Sequence, residues 1–395
     1  MLITRVREEE FGYLVFDDKG DSEIVRFEAK DLIRIGETID AVTYRPTKVS
    51  ATTPFHLKSP IIVLLEVTRK CDLTCGHCYI SAGTPRENEM DTTTIYGVLD
   101  ELKEREVFHV LITGGEPFLR DDIVDIINYA EECDFFVQVV TNGFSLTEEV
   151  LSQIKNNGHI RFALSYLGGL ENGISNDEAL THLKDKMTLL KRYNFPRMSW
   201  VSVTKLNIDR KPDIYRLCQD FGAKSYYQDV MPMGRCKENT HLLLDVDDVE
   251  KSVQLFGTGD DDEEGDRPKT ALEMCYLFEY LFQACKGGRS YAYICSNGDV
   301  YPCSNCAAEH LFCAGNINES SFSDIWENSF KEHRAITWKD FKGCETCELR
   351  EYFEKGMFCK LRCPPISRVL YNDLLYCGAT EYTKAKSLWF ARSYF

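Results

Sequence analysis

The sequence is poor in several features that would each assign it to a different class of protein. It has 46 Lys and Arg against 63 Asp and Glu, a net charge of −17, and no stripe of basic residues stands out. This charge disfavours a protein that follows the phosphate backbone of a nucleic acid. The longest uncharged apolar run, residues 61–65, is far too short to cross a bilayer, and the first residues lack the apolar segment of a secretory signal. We therefore expect a soluble cytoplasmic protein with no nucleic-acid partner and no membrane partner.

Cysteine, by contrast, is abundant and clustered. The chain has 17 cysteines. A cytoplasmic chain keeps its thiols reduced, so clustered cysteines indicate metal or redox chemistry rather than disulfides. Cys133 and Cys218 lie in apolar helical patterns with no partner nearby in sequence, which predicts ordinary buried packing. Most of the others fall late in the chain: Cys275, Cys285, Cys295, Cys303, Cys306, Cys313, Cys344, Cys347, Cys359, Cys363 and Cys377.

The central part of the chain has the pattern of repeated β/α units. From residue 61, short apolar segments alternate with longer amphipathic ones, which is typical of strands and helices around a parallel sheet. Six units are fewer than the eight of a closed TIM barrel, so the predicted fold is α/β, an open, partial (β/α)6 TIM-like barrel. The predicted strands are 61–66, 109–113, 136–141, 160–165, 199–204 and 224–229, and the predicted helices are 92–105, 121–132, 147–156, 176–193 and 210–221.

Three further parts surround this predicted barrel of residues 59–256. Residues 13–16 and 24–27 flank a polar turn and predict a short β-hairpin extension within residues 1–58. An acidic stretch, 257–268, predicts a solvated loop or, alternatively, a docking site for a basic partner, and with a helix at 271–284 it forms a linker over residues 257–284. Residues 285–395 are rich in cysteine and turns, which predicts a small domain held together by metal.

The first motif is Cys71-x3-Cys75-x2-Cys78, directly after the first predicted barrel strand. Loops at the carboxyl ends of barrel strands face the active site. Three thiolates on one short loop can wrap a compact cluster. A zinc site would need a fourth close ligand, and His77 lies inside the same loop with poor reach.

A second motif, Gly114-Gly115-Glu116-Pro117, follows the second predicted strand. Together with the cysteine spacing and an aromatic residue after Cys78, it resembles the radical S-adenosylmethionine (radical SAM) superfamily. The resemblance implies a 4Fe–4S cluster on Cys71, Cys75 and Cys78 that leaves one iron open for S-adenosylmethionine, whose ammonium group pairs with the glycine-glutamate segment. The cofactor-binding residues that it implies are Tyr79, Gly114, Gly115, Glu116, Pro117, Asn142 and Ser165.

The ends of the later strands match the family less well. The family often has S-x-D-G after the fourth strand, whereas this chain has Ser165 followed by Tyr166, Leu167 and Gly168. Leu167 therefore receives no polar role. Arg235, after the sixth strand, is either a residue at the lip of the active site or a surface arginine. Further side chains near strand ends, for which packing and catalysis are equally open, are Tyr166, Tyr226, Tyr227 and Asp229.

The late cysteines resemble the SPASM extension of radical SAM enzymes. The pattern places a glycine and four further residues before a cysteine, as at Gly298 and Cys303. One departure is the spacing from Cys347 to Cys359, which has eleven intervening residues where the family pattern has five. The insertion lengthens a loop without removing a ligand. The matching cysteines are Cys285, Cys303, Cys344, Cys347, Cys359, Cys363 and Cys377.

The SPASM resemblance implies two auxiliary 4Fe–4S clusters, which makes three clusters in all. The first would use Cys285, Cys303, Cys363 and a fourth ligand, for which Cys295 is the candidate between the first two and Cys306 an alternative. The second would use Cys344, Cys347, Cys359 and Cys377. A pair of zinc ribbons is the competing interpretation, because the same spacings suit tetrahedral zinc.

The family chemistry implies a peptide-modifying enzyme. Reductive cleavage of S-adenosylmethionine yields a 5′-deoxyadenosyl radical, which would abstract hydrogen from a ribosomally made precursor peptide and lead to a crosslink, here expected to be a cysteine thioether. The alternative is modification of a tetrapyrrole or other small molecule. Formylglycine formation is disfavoured, because sulfatase maturases have an aspartate where this chain has Ser304. An external electron donor such as a flavodoxin or ferredoxin is implied, and the N-terminal hairpin either binds a leader peptide by β-augmentation or caps the barrel.

Overall fold

A computed structural model describes most of the chain. It covers residues 5–9, 12–16, 22–26, 56–254, 275, 279, 284–344, 346–350, 352 and 362–394. The acidic stretch 257–268, most of the predicted helix 271–284 and Cys359 lie outside the described residues. Within the described part, no helix combines the length and apolar character that crossing a bilayer requires.

Six parallel strands, each paired with the next, form the centre of the molecule and confirm the predicted partial barrel. The first is buried along its whole length, as expected of a strand covered on both faces. The six are β4 (Ile62–Glu66), β5 (His109–Thr113), β6 (Phe136–Thr141), β7 (Ile160–Ser165), β8 (Arg197–Val203) and β9 (Lys224–Asp229).

Helices connect these strands, and three of them begin at a residue whose side chain caps the helix. The Asp91 side chain accepts a hydrogen bond from the backbone N of Thr94 at 2.8 Å and starts the first helix. Ser175 and Glu178 form a reciprocal capping box at the start of the fourth. The helices are α1 (Thr92–Glu104), α2 (Ile123–Glu132), α3 (Glu148–Gln153), α4 (Asn176–Arg192), α5 (Lys211–Asp220) and, after the last strand, the short α6 (Val249–Val253).

The cysteine-rich region continues the barrel sheet. Strand β10 (Tyr291–Ile294) pairs in parallel with β4, and β11 (Asp299–Tyr301) and β12 (Gly315–Asn316) extend the sheet to nine strands. Glu66, fully buried at the end of β4, accepts hydrogen bonds from Tyr293 at 2.6 Å and from the Ser296 hydroxyl at 2.9 Å. Further helices in this region are Ser304–Ala308, Phe322–Asn328, Lys331–Ala335, Pro364–Tyr371 and Glu381–Tyr394.

The N-terminal extension contains the predicted hairpin and one additional strand. Strands β1 (Arg5–Glu9), β2 (Gly12–Phe16) and β3 (Ser22–Arg26) form an antiparallel sheet in that order. Its contacts lie at the amino ends of the barrel strands: the Phe16 and Phe108 rings are 3.8 Å apart, and the buried Arg7 donates to the carbonyl O of Pro60 at 3.1 Å. The N-terminal sheet therefore lies at the opposite end of the barrel from the carboxyl-end loops.

Candidate functional site

The cysteine loop, residues 71–78, leaves β4 and is closed by its own backbone. The backbone N of Cys78 donates to the Cys75 carbonyl at 3.2 Å, and that of Cys71 donates to the Gly83 carbonyl at 2.9 Å. Two thiols accept hydrogen bonds: the Asn172 amide lies 3.5 Å from the Cys75 sulfur, and the Ala82 N lies 3.4 Å from the Cys78 sulfur. The structure therefore places all three cysteines together at the carboxyl end of the barrel.

The surroundings of Cys71 and Cys75 favour the protonated thiol, so these two residues become thiolates when they bind a metal. Burial raises the pKa of Cys71 to about 11, and burial also raises the pKa of Cys75. A bound iron cluster supplies the positive charge that favours the thiolate form. The donor set fits such a cluster, because thiolates are its usual protein ligands.

Arg235 braces the cysteine loop from the segment after β9. Its Nε donates to the Cys75 carbonyl at 2.8 Å, and its Nη1 donates to the Ala82 carbonyl at 2.6 Å. The preceding Gly234 has a φ of +53°, and a Cβ there would lie 2.5 Å from the Cys78 carbonyl oxygen. Arg235 is thus a partly buried residue that holds the loop, rather than a free surface arginine.

The glycines of the second motif allow it to pack directly against the backbone that leads into the cysteine loop. A Cβ on Gly114 would lie 2.4 Å from the Thr68 carbonyl, and one on Gly115 would lie 2.3 Å from the Lys70 carbonyl. The backbone N of Glu116 donates to the Lys70 carbonyl at 2.8 Å. Because no larger residue fits at either position, the two glycines set the position of Glu116.

Glu116 is fully buried and accepts three hydrogen bonds. They come from the Thr141 hydroxyl at 2.7 Å, the Asn142 backbone at 2.7 Å and the Phe118 backbone at 3.1 Å. Burial is the largest influence and raises the pKa of this carboxyl to about 7. Asn142 in turn donates from its side chain to Asp72 at 2.7 Å, which connects the end of β6 to the cysteine loop.

The remaining residues predicted to bind the cofactor are less clearly brought to this point. Ser165 ends β7 and is half-buried, and Pro117 is buried at the start of a short turn. The Tyr79 hydroxyl hydrogen-bonds Tyr293 on β10, and burial raises its pKa, so it stays protonated. The Tyr166 hydroxyl donates to the Asn176 carbonyl at 3.0 Å and is directed to the start of α4.

The C-terminal helix Glu381–Tyr394 is held at the carboxyl end of β9. Asp229, the last residue of β9, accepts hydrogen bonds from Tyr382 at 2.8 Å and from Lys386 at 2.5 Å. The Tyr227 hydroxyl donates to the Lys211 carbonyl at 3.1 Å, and the Tyr226 ring packs 4.9 Å from that of Trp200. These side chains therefore have structural partners.

Four cysteines from three segments meet beside β10 and β11. The sulfurs of Cys303 and Cys306 are 3.6 Å apart, because the two residues stand three positions apart at the start of a helix. Electrostatic interaction connects the Cys306 thiol with those of Cys285 and Cys363. We call Cys285, Cys303, Cys306 and Cys363 the first auxiliary group.

Cys295 lies away from this group. It follows β10, is buried, and has Glu66, Arg86 and Arg69 as its charged neighbours. Its backbone N donates to the Asp299 carbonyl at 2.8 Å in the turn between β10 and β11. The geometry therefore favours Cys306 over Cys295 as the fourth member of the set, and the Cys303-x2-Cys306 spacing is the sequence signal that points to it.

A second set of cysteines lies near the chain's end. The Cys377 thiol interacts electrostatically with those of Cys344 and Cys347, and the Arg362 Nε donates to the Cys344 sulfur at 3.4 Å. Among the residues described, no three His, Cys, Asp or Glu side chains converge on one mononuclear ion site. The thiolates of a 4Fe–4S cluster each bind a different iron and need no such convergence.

Two family models match the chain. The model of the radical SAM superfamily matches residues 65–207, and that of the SPASM iron-sulfur cluster-binding domain matches residues 285–348. The first contains the cysteine loop, the Gly-Gly-Glu-Pro motif and the ends of β4 to β8. The second begins at Cys285 and extends past Cys347.

Curated relatives are similar in sequence over about three quarters of this chain. The chain is 28% identical over 294 residues to the mycofactocin maturase MftC of Mycolicibacterium smegmatis, covering 70% of this chain and 73% of the relative. It is 28% identical over 322 residues to the PqqA peptide cyclase of Bradyrhizobium diazoefficiens, covering 76% and 82%. It is 25% identical over 317 residues to the AdoMet-dependent heme synthase of Methanosarcina barkeri, covering 74% and 90%.

Solved structures share the fold. Streptococcus suis SuiB bound to precursor peptide SuiA matches with a TM-score of 0.62 at 18% identity, covering 82% of this chain and 76% of that one. The structure titled native anSMEcpe with bound AdoMet matches with a TM-score of 0.62 at 17% identity, covering 85% and 97%. On its motifs, its fold and these matches, the chain belongs to the radical SAM superfamily and is a radical SAM enzyme with a C-terminal SPASM domain.

Proposed function

We propose that this enzyme is a peptide maturase that installs a crosslink, most specifically a cysteine thioether, on a ribosomally made precursor peptide. The observation that carries the proposal is the combination of a complete cysteine loop and Glu116 at the carboxyl end of the barrel with a second cysteine domain in the same sheet. One of the related proteins is named as a peptide cyclase and another as a maturase. The similarly folded SuiB was crystallised with its precursor peptide.

At the carboxyl end of the barrel, different residues would bind the cluster and S-adenosylmethionine. When bound, a 4Fe–4S cluster and S-adenosylmethionine supply a 5′-deoxyadenosyl radical that abstracts hydrogen from the substrate. Cys71, Cys75 and Cys78 would hold the cluster. Glu116 as carboxylate would pair with the cofactor's ammonium, and Asn142 and Ser165 would contact its ribose and carboxylate. The buried position of Glu116 keeps water away from that ion pair and strengthens it.

The cysteines of the C-terminal region would hold two auxiliary clusters. Cys285, Cys303, Cys306 and Cys363 would hold one 4Fe–4S cluster, and Cys344, Cys347 and Cys377 with Cys359 would hold another. Asn305 donates towards the Cys363 sulfur at 3.7 Å, and the Gly287 backbone donates to that of Cys285 at 3.4 Å. Such N–H groups around thiolates are part of how a protein supports a cluster.

The precursor peptide and the electron donor are the proposed partners. Within the described residues, β3 pairs only with β2, so its outer edge is where an extended leader could add as a further strand. An external flavodoxin or ferredoxin would supply the electron that starts the reaction.

Two measurements test the proposal. Anaerobically reconstituted protein should bind about twelve irons per chain, and Cys71, Cys75 and Cys78 changed together to Ala should remove about four. With a small cysteine-containing peptide encoded beside the gene and deuterated at the acceptor carbon, the label should appear in 5′-deoxyadenosine. Unlabelled 5′-deoxyadenosine alongside crosslinked product would refute hydrogen abstraction from that carbon.

A second candidate is a tetrapyrrole modifier, which the similarity to the heme synthase favours. It predicts that a porphyrin-like substrate, and not the peptide, increases the yield of 5′-deoxyadenosine under reducing conditions. Running both substrates side by side against the triple cysteine variant separates the two functions.

A further inference from the structure

Two buried arginines and a buried histidine lie beside the first auxiliary group. Arg289 is 1% exposed, and His333 and Arg334 are each 3% exposed. Arg289 stands in the turn between Cys285 and β10, whereas His333 and Arg334 belong to the helix Lys331–Ala335. Charged side chains are rarely buried this completely without a counter-charge.

Arg289 has hydrogen-bond partners for only part of its guanidinium. Nη2 donates to the carbonyls of Arg334 at 2.5 Å and Ile336 at 3.1 Å. Nε and Nη1 are buried and have no hydrogen-bond partner among the residues described. Neutral carbonyls do not balance a positive charge, and an uncompensated buried charge costs several kcal/mol.

The nearby groups do not neutralise this charge. His333 is itself unprotonated, because burial and the two arginines lower its pKa to about 3. The Arg334 guanidinium lies 4.8 Å from the centre of the Trp326 ring and is drawn electrostatically to Glu327, which is half exposed. Lys286, the other cation near Cys285, has Glu279 at 3.9 Å.

The group placed to balance Arg289 is Cys285, which burial keeps as a neutral thiol and which becomes a thiolate when it binds a cluster. Among the residues that the structure describes, Cys285 is the group that opposes the effect of burial on the Arg289 guanidinium. Cys285 is in turn coupled to the thiols of Cys303 and Cys363. A 4Fe–4S cluster with four thiolates is anionic and gains a further negative charge on one-electron reduction, so a fixed cation beside it stabilises the reduced form.

The cysteine loop has more negatively charged surroundings. Asp72 and Glu116 both interact electrostatically with Cys71 and disfavour additional negative charge there. Near Cys285, Lys286 and Arg289 place two positive charges against the negative charge of Glu279. Near the cysteine loop, Asp72 and Glu116 place two negative charges against the positive charge of Arg235.

We propose that Arg289, supported by Arg334, raises the reduction potential of the cluster held by the first auxiliary group above that of the cluster on the cysteine loop. This inference rests on the proposed function, in which that group holds a 4Fe–4S cluster. When a substrate carbon radical and a substrate thiol form a C–S bond, one proton and one electron are released, and a cluster held by Cys285, Cys303, Cys306 and Cys363 would accept that electron. Arg289 acts here as a positioning charge and touches neither substrate nor S-adenosylmethionine.

The test is a redox titration followed by electron paramagnetic resonance on the reconstituted full chain. Changing Cys71, Cys75 and Cys78 to Ala removes the first cluster's signal and leaves the auxiliary signals. In that triple variant, the additional change Arg289→Gln should lower the midpoint potential of one auxiliary cluster. At a fixed applied potential, the ratio of reduced to oxidised cluster should fall about tenfold, which corresponds to about 59 mV for one electron.

Two matched variants separate charge from shape. Arg289→Lys keeps the charge but not the guanidinium geometry, and it should retain the wild-type potential. Arg192→Gln makes the same chemical change on an exposed residue paired with Glu148 on the barrel surface, and it should shift nothing. A merely structural role would make the Lys and Gln variants of Arg289 equally defective.

Three results would overturn the inference about Arg289. An unchanged midpoint potential in Arg289→Gln with full iron content overturns the inference. If Arg289→Gln fails to retain iron, Arg334→Gln should give a smaller shift in the same direction, and no shift there overturns it. Absence of any auxiliary 4Fe–4S signal in the parent protein defeats the proposed function itself, together with the inference that rests on it.

Discussion

Arg235→Ala should weaken the retention of the cluster on the cysteine loop. The Arg235 guanidinium donates to two backbone carbonyls, those of Cys75 and Ala82. A hydrogen bond that involves a charged group contributes about 1.5–3 kcal/mol. We use the low end, because Arg235 is partly exposed and the Cys75 carbonyl keeps a second bond from the Cys78 backbone.

Loss of both bonds should therefore favour the opened loop by about 3 kcal/mol, which corresponds to roughly 100-fold in population. The assay is anaerobic transfer of iron to a ferrous chelator. About four of the irons should leave Arg235→Ala roughly 100-fold faster than in the wild type, while the auxiliary irons leave at the wild-type rate and serve as an internal reference.

Two variants control this experiment. Lys237→Ala removes an exposed residue of the same turn, whose ion pair with Glu309 at 2.6 Å is worth about 0–1 kcal/mol, and it should change the rate little. Arg235→Lys should be intermediate, since one ammonium does not reproduce the guanidinium fork. Equal release rates for Arg235→Ala and Lys237→Ala would refute the bracing role.

Three further outcomes are expected. Cys306→Ala should cost about four irons per chain whereas Cys295→Ala should cost none, as measured by iron analysis. Burial raises the Glu116 pKa to about 7, and the carboxylate is the form that pairs with ammonium. Calorimetry should therefore show that S-adenosylmethionine binds more weakly as the pH falls from 8 to 6. The Glu116→Gln variant should bind S-adenosylmethionine weakly at every pH. Asp229→Asn should weaken docking of the C-terminal helix by about 2 kcal/mol through loss of the charge that holds Lys386, and hydrogen exchange should accelerate in that helix but not in α1.

The barrel was predictable because its signals are local. Most of the strands are short apolar segments and the helices between them have amphipathic patterns, so element positions agreed with the prediction to within a few residues. The two principal motifs lie within single loops that follow neighbouring strands. Parallel pairing of β4 with β5 necessarily brings those loops to the same end of the barrel.

Strand β1 was missed for a physical reason. Its sequence, RVREE, has charged residues at the alternate positions where a buried strand normally has apolar ones. The fully buried Arg7 pairs with Glu9 at 2.8 Å and is covered by carbonyls from the barrel. Because Glu9 balances the charge of Arg7 within the same strand, β1 is buried without alternating apolar residues, and its sequence shows no hydrophobic periodicity.

The spacing of the cysteines in the sequence also did not decide which four form the first auxiliary group. The SPASM resemblance gave Cys295 as the candidate between Cys285 and Cys303, with Cys306 as its alternative. The turn after β10 places Cys295 beside Glu66, whereas the helix that begins after Cys303 brings Cys306 onto its side of the group.

The sequence by itself determined the chemistry that the chain can support, because the cysteine spacings and the Gly-Gly-Glu-Pro segment act over a few neighbouring residues. Only the tertiary structure decided what surrounds that chemistry. Arg235 reaches the cysteine loop from the far strand of the barrel, Asp229 is engaged by the C-terminal helix, and Arg289 is enclosed by a helix remote in sequence. Such contacts depend on which distant segments the fold brings together, and no local pattern encodes them.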